Sequence, residues 1–375
     1  MTPPRSVRIS GWGAHAPETV LTNGDLERLV ETSDEWIAAR TGIRERRIAG
    51  RDETTATLAA TAGLRAIATA GLDPAEIDLI IVATLTPDYP MPATAILVKD
   101  LVGNRKAAAF DVAAACSGFA YAYATADAFV RSGGARHALV VGAEVLSRVT
   151  DFTDRNTCVL FGDGAGAVVL SASDAPGGGM AGLELTADPS GCELLWIPAG
   201  GVRRPASAAT LAGGDHAIRM DGRETYRYAT RTLAASALAA IERAGWTPAD
   251  VDLVIPHQAN ARIIDAVAKS LGFPMERVFV NLDRYGNTSA ASVGIALAEA
   301  VATGRVAPGD RLVLVAFGAG YTSGAVALEW TADPAAAMRA AGIAPVRLLD
   351  PPRAGSAEDP VPVPLRAILD VPATV

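Results

Sequence analysis

The sequence predicts an α/β fold built as one unit written twice, and three observations carry that prediction. Residues 70–84 and 244–258 are identical at Ala70/Ala244, Gly71/Gly245, Pro74/Pro248, Ala75/Ala249, Asp78/Asp252, Leu79/Leu253 and Ile81/Ile255, an offset of 252 − 78 = 174. The same offset lays His137–Val141 on Arg311–Val315, two apolar β-branched runs. Two matches at one offset mark a duplication. Each half also alternates 3.6-residue and strand-like apolar patterns, which predicts a mostly parallel sheet covered by helices. The boundaries expected are a first half over 1–174, a second over 175–330, and a separate tail over 331–375.

In the first half, Thr32 or Ser33 caps a short helix that Gly42 ends, and Trp36 and Arg40, four residues apart, share one face of it. The apolar stretch Ala107–Phe110 and Val112 reads as a strand, after which Ala113 to Phe119 turn sharply into an Ala-rich helix running to Gly133. Phe161 to Leu170 is a glycine-rich bend feeding a strand and predicts a hairpin connection, as does Phe317 to Leu328 in the second half. Residues 199–215, mostly Gly, Ala and small polar residues, read as an inserted loop. Arg223, Arg227 and Arg231, spaced by four and preceded by Arg219, predict a basic helical stripe interleaved with Glu224. Val251–Ile255 is a strand with Pro256-His257-Gln258-Ala259-Asn260 at its C-terminal end, and Asn287 precedes a small-residue helix. Eight of the 23 prolines fall in residues 331–375, which show no sustained periodicity and read as a tail wrapped over the surface or partly disordered.

Composition narrows the function classes. The 375 residues are 50% hydrophobic and 20% charged, enough for a large core. A net charge of −8 argues against nucleic-acid binding. Three cysteines, Cys116, Cys158 and Cys192, are too few and odd in number for a disulfide framework. Residues 1–5 lack the basic-then-apolar pattern of a signal peptide and no run is long enough to span a membrane, so a cytoplasmic protein is expected. None of the four histidines has a second His or a Cys at metal-ligand spacing, and no metal site is expected.

Chemistry concentrates at strand ends. Cys116 stands where a helix N-terminus would favour a thiolate; taken by itself it reads also as a small buried hydrophobe. His257 lies at the C-terminal end of its strand, where open α/β sheets bind ligands, and reads otherwise as a satisfied core histidine. Asn287 is a turn or capping asparagine or an amide donor, and the 318–320 loop is a tight turn or a source of backbone N–H groups for an oxyanion. The duplication brings corresponding strand ends of the two halves together, so a Cys, a His and an Asn converge as a nucleophile with anion-stabilising donors.

With those residues in view, the chain from about Val7 to Trp330 resembles β-ketoacyl-acyl-carrier-protein synthase III, the thiolase-fold condensing enzymes that start fatty-acid chains. The stretches that carry the resemblance are Thr32–Ile37, Arg40–Arg46, Phe161–Gly166, Pro256–Asn260 and Gly286–Ser292. The resemblance implies a layered αβαβα arrangement and a homodimer. It implies a catalytic triad of Cys116, His257 and Asn287, and an oxyanion hole from the N–H groups of Cys116, Ala319 and Gly320. Trp36, Arg40, Arg155, Asn260, Arg262, Met91 and Phe317 would serve the acyl-CoA, with Trp36 and Arg155 on the adenine. Gln258, Ala259, Asn260, Ala261, Arg262, Arg227 and Lys269 would meet the acyl carrier protein. No metal or redox cofactor is implied; acyl-CoA and malonyl-carrier protein are substrates. Each arginine reads otherwise as a solvated surface charge.

Two positions depart from the family pattern. Ala319 stands where Gly is usual, which keeps the backbone N–H, and Met91 stands where Phe often closes the acyl pocket across the dimer. The expected reaction is condensation of an acyl-CoA starter with malonyl-carrier protein. The alternative is a related enzyme of specialised metabolism that condenses another starter or passes the acyl group to an alcohol or amine. A nucleotide-binding oxidoreductase, suggested by Gly162, Gly164 and Gly166, is disfavoured because these glycines lead into a strand and not a helix.

Overall fold

In a computed structural model that describes residues 6–174 and 177–342, the repeated block folds the same way in both halves. Pro74–Glu76 and Pro248–Asp250 each form a single 3₁₀ turn. The carboxylate of Asp78 accepts the N–H groups of Arg136 (2.8 Å) and His137 (3.2 Å), and that of Asp252 accepts the N–H of Arg311 (2.8 Å). The identical aspartates therefore tie each strand to its neighbour at the point where both begin.

The first sheet contains β1 (Ser6–His15), β2 (Leu79–Ala83), β3 (Ala108–Val112), β4 (His137–Glu144) and β5 (Gly164–Ser173), in the order β1-β5-β4-β2-β3. The second contains β6 (Gly179–Thr186), β7 (Leu253–Pro256), β8 (Arg311–Gly318) and β9 (Thr322–Glu329), in the order β6-β9-β8-β7. Directions match place by place: β2/β4 and β7/β8 are parallel, and the other corresponding pairs are antiparallel. Even the register repeats, since Leu79 pairs with Ala138 and Leu253 with Leu312, and 253 − 79 = 312 − 138 = 174. The fifth place, held by β3, is reduced in the second half to a parallel bridge between Val254 and Val278. Both sheets are thus mixed, not mostly parallel, because the strand after each parallel pair returns antiparallel. Only the 317–328 bend is a tight hairpin; β4 and β5 are neighbours joined through residues 145–163.

The helices are α1 (Asp34–Thr41), α2 (Thr55–Thr69), α3 (Thr94–Leu101), α4 (Gly118–Arg131), α5 (Gly222–Arg243), α6 (Ala261–Leu271), α7 (Ala291–Ala302) and α8 (Pro334–Ala341). Strand alternation assigns them to layers. Leu79 and Ile81 of β2, with Leu312 and Leu314 of β8, face a central core shared with Phe119 and Tyr123 of α4 and Val293 and Leu297 of α7. Ile80 and Val82 point the other way, onto α2 and α3. Val313 and Val315 point away from the centre onto α5 and α6. The result is the expected five-layer αβαβα stack, with α4 and α7 buried between the sheets.

Local signals place α1 as read: the Ser33 hydroxyl accepts the Trp36 N–H at 3.1 Å, and Gly42 closes the helix at φ +80°. The 199–215 insertion carries a short helix over Ala208–Ala212. The tail does not begin as irregular chain, because α8 forms at once and buries Met338 in the central core. The rest of the expected tail, 343–375, lies outside the described residues, as do 175 and 176 at the expected boundary between halves.

Candidate active site

Four segments distant in sequence meet at the ends of β3, β7 and β8 and the start of α7. Cys116 sits in a 3₁₀ turn, Ala115–Ser117, between β3 and α4. The turn is entered through Ala115 at φ +46°, a strained conformation for a non-glycine residue. Ser289, which the duplication sets equivalent to Ala115 (289 − 115 = 174), also has φ +46°, and Tyr321 after the 318–320 loop has φ +44°. Among the described residues these are the three non-glycine positions with positive φ, and all three flank this site. Backbone strain of ~1–3 kcal/mol at each is held by the surrounding packing.

Cys116 is buried, and burial pushes its thiol up to about 12. This corrects the expectation of a thiolate at rest. A helix terminus is worth at most ~2 kcal/mol, whereas a rise of three units corresponds to ~4 kcal/mol against the anion. Desolvation wins, and the resting nucleophile is a thiol.

His257 follows β7. Its main-chain N–H donates to Val315 O at 2.7 Å, and its Nδ1 lies 2.6 Å from Ser292 Oγ. Burial pushes the imidazole down to about 3, so the ring is neutral. Asn287 is held in a parallel bridge with Phe161, and its Oδ1 accepts the Ser289 N–H at 2.9 Å. The turn role anticipated for this asparagine is thus taken by its oxygen, which leaves the amide Nδ2 as a donor. The 318–320 loop lies against the nucleophile turn: a Cβ on Gly318 would stand 2.6 Å from the Cys116 nitrogen. Ser117 Oγ lies 2.7 Å from both Ala114 O, to which it donates, and Thr322 Oγ1, pinning the two turns together.

Cys116, His257 and Asn287 line one cavity of about 980 Å³, together with Trp36, Arg40, Ala259, Asn260, Arg262 and Phe317. The guanidinium carbons of Arg40 and Arg155 each lie 4.9 Å from the Trp36 ring centroid. No flat ring can enter between Trp36 and either arginine without displacing it. Asn260 caps α6, accepting the Arg262 N–H at 2.9 Å, and donates to Arg40 O at 3.1 Å, so α1 and α6 share the cavity mouth.

Other expected site residues stand outside the lining of this cavity. Arg155, Ala261, Ala319 and Gly320 are not among the cavity-lining residues. Met91 is 86% exposed and outside the lining of this chain's own cavity, as a residue expected to reach across a dimer would be. Gln258, expected at the carrier-protein surface, is 1% exposed. Its Nε2 donates to Pro256 O (2.8 Å) and Phe279 O (3.1 Å), and its Oε1 accepts from Asn281 N (2.9 Å). That side chain belongs to the interior. Arg227 is exposed but paired with Glu224, and Lys269 with Asp265 at 2.7 Å.

Sequence reasoning missed Ser289, Ser292 and Glu144 as site residues. Glu144 is buried at the end of β4 and accepts from Thr84 Oγ1, Leu85 N, Thr86 N and Thr86 Oγ1; burial pushes it up to about 7. Its signal was available: it is the sole charged residue in the apolar run from Ala138 to Leu146. Among the described residues no group of three or more His, Cys, Asp or Glu is arranged to hold a metal ion.

Residues 110–189 match the family described as 3-oxoacyl-[acyl-carrier-protein (ACP)] synthase III, and residues 241–330 match its C-terminal part. The chain is 55% identical over 324 residues to the beta-ketoacyl-[acyl-carrier-protein] synthase III of Roseiflexus sp., covering 86% of this chain and 98% of that one. It is 50% identical over 326 residues to the enzyme of that name from Desulfitobacterium hafniense, covering 87% and 98%. Its structure is similar to that of the 3-oxoacyl-[acyl-carrier-protein] synthase III of Aquifex aeolicus, with TM-score 0.80 and 48% identity over 87% of this chain and all of that one. The chain belongs to the β-ketoacyl-acyl-carrier-protein synthase III family.

Proposed function

We propose that this protein condenses an acyl-CoA starter with malonyl-acyl-carrier protein, giving 3-oxoacyl-carrier protein, CO₂ and CoA, and so begins fatty-acid chains. The observation that carries the reading is the meeting of Cys116, His257 and Asn287 in one cavity, with an imidazole N–H and an amide N–H₂ among its side-chain donors. The Cys116 sulfur attacks the thioester carbonyl; its proton leaves with the departing CoA thiolate, and an acyl-cysteine remains. Malonyl-carrier protein then loses CO₂, and charge develops on its thioester oxygen. A neutral His257 and the Asn287 amide donate to that oxygen. The enolate carbon attacks the acyl-cysteine, whose oxyanion is met by the N–H groups of Cys116 and the 318–320 loop; its collapse breaks the C–S bond, frees the 3-oxoacyl-carrier protein and leaves a Cys116 thiolate that takes up one proton from solvent. Each such donor is worth about 10²–10³ in rate. These steps draw only on side chains and backbone.

Acyl-CoA enters past Trp36, with Arg155 swinging off its face to admit the adenine, and Arg40 and Arg262 meeting phosphate. The exposed arginines Arg223, Arg227 and Arg262, with Lys269, offer an acidic carrier protein a cationic rim on a chain of net charge −8. A homodimer is supported by the open edge of β3 and by the nearby exposed apolar residues Tyr89, Met91, Ile96 and Leu101. No helix among the described residues is long and apolar enough to cross a membrane. Substrates of this kind dissolve in the cytoplasm, which supports that location.

His257→Ala tests the division of labour. Mass spectrometry should find Cys116 acylated by acyl-CoA, while CO₂ release and chain extension fall by about 10²–10³. An unacylated His257→Ala enzyme, or one that condenses at the parent rate, overturns the reading. Acyl transfer to an alcohol or amine would release no CO₂ from malonyl-carrier protein in the parent enzyme.

A further inference from the structure

A neutral imidazole has one N–H, and the chemistry proposed above needs it on the nitrogen that faces the cavity. We propose that the Ser292 hydroxyl holds that proton on Nε2 of His257, which makes Ser292 a positioning residue for decarboxylation; the inference rests on the condensing reaction proposed above.

The argument is one of hydrogen-bond accounting. Ser292 is 2% exposed, in the first turn of α7, with its Oγ 2.6 Å from His257 Nδ1. The main-chain N–H of Gln258 also points at this oxygen, at 3.5 Å, and can only donate. Among the described residues the hydroxyl proton has Nδ1 as its one acceptor within reach. A buried hydroxyl left without an acceptor is costly. The O–H therefore donates into the Nδ1 lone pair, and the ring proton resides on Nε2. The opposite tautomer would orphan the hydroxyl proton and turn a lone pair toward the developing enolate. A doubly protonated ring does not intervene, because burial keeps the imidazole neutral.

Asn287 is oriented by the same stretch of chain. The Ser289 N–H occupies Oδ1, as the Ser292 O–H occupies Nδ1. Residues 287–292 thus turn both side-chain donors, one from β7 and one from the approach to α7, toward the same oxygen.

The test uses the full-length protein with Ser292→Ala and Ser292→Thr. Three quantities are read: acyl-enzyme formed from acyl-CoA, CO₂ released from labelled malonyl-carrier protein, and the ¹⁵N shifts of the His257 ring. In Ser292→Ala, CO₂ release should fall ten-fold or more while acylation stays within about three-fold, because only the second step uses the ring donor. The ¹⁵N pattern should change from pure Nε2–H to a mixture, and Ser292→Thr, which keeps a hydroxyl, should restore both. Equal loss of acylation and CO₂ release would mark a merely structural role and overturn the inference, as would unchanged CO₂ release. The parent enzyme decides the matter even if Ser292→Ala does not fold: an Nδ1–H ring there refutes the assignment. His257→Ala separates this from the underlying reading, since a His257→Ala enzyme that still condenses sinks both, whereas failure of the Ser292 variants alone leaves the reaction standing.

Discussion

Replacing Gly142 with alanine probes how closely the two halves are fitted at the site. Gly142 lies on β4, and a Cβ there would fall 2.2 Å from the Ala290 carbonyl oxygen and 2.7 Å from its carbonyl carbon. Carbon–oxygen contacts settle at about 3.3 Å, so the two backbones must part by about 1 Å. No rotamer change relieves the clash, because the obstructing atoms are main chain. Ala290 is the residue from which α7 starts, between Asn287 and Ser292, so the shift is delivered to the segment that orients both donors. Overpacking of this kind costs ~1–3 kcal/mol of stability. A displacement of about 1 Å in a reacting constellation costs about 10² in rate. Gly142→Ala should therefore lose ~1–3 kcal/mol in urea denaturation and about 10² in condensation, with Cys116, which hangs from β3 and α4, still acylated. A variant that keeps full condensation and unfolds within ~0.5 kcal/mol of the parent would show that β4 and α7 slide freely past each other, and the reasoning would fail.

Alkylation of resting Cys116 by iodoacetamide, followed at its own peptide to exclude the exposed Cys192, should accelerate about tenfold per pH unit from pH 7 to 10, since the thiol is pushed up to about 12. A plateau near pH 7 would mean that the helix terminus outweighs burial. Glu144 predicts a pH effect on stability. Its carboxyl is raised from 4.5 to about 7 on folding, so the unfolded chain holds fewer protons between those values, and stability falls as pH rises through that window. About 2.5 units corresponds to ~3 kcal/mol. Chemical denaturation at pH 5 and pH 8 should show the parent losing about 2–3 kcal/mol relative to Glu144→Gln, and parallel pH profiles would refute the assignment.

Much of the architecture was legible because the repeat is a repeat of function in the fold. Asp78 and Asp252 recur since each accepts N–H groups at the start of a neighbouring strand, and Pro74 and Pro248 recur since each starts the same 3₁₀ turn. Strand direction was less legible. The bend at 317–328 marked the antiparallel return of β9, whereas β5 returns through the long connection 145–163, and the sheets are mixed where mostly parallel ones were expected. Residues 331–342 were misread for a related reason: α8 is two turns long, too short to show a period among prolines and alanines, and it is held by Met338 in the central core.

At the site, the amino-acid sequence alone determined which chemical groups are present and which strand ends carry them: a sulfur after β3, an imidazole after β7, an amide before α7 and a glycine turn after β8. Those are local properties, written in residue type and spacing. Tertiary structure decided their states. It left Cys116 a thiol and His257 neutral, turned Gln258 inward, raised Glu144, and placed Ser292 against Nδ1. Protonation and hydrogen-bond polarity depend on the sum of desolvation and neighbours drawn from segments tens of residues or more apart, and no local window of sequence contains that sum.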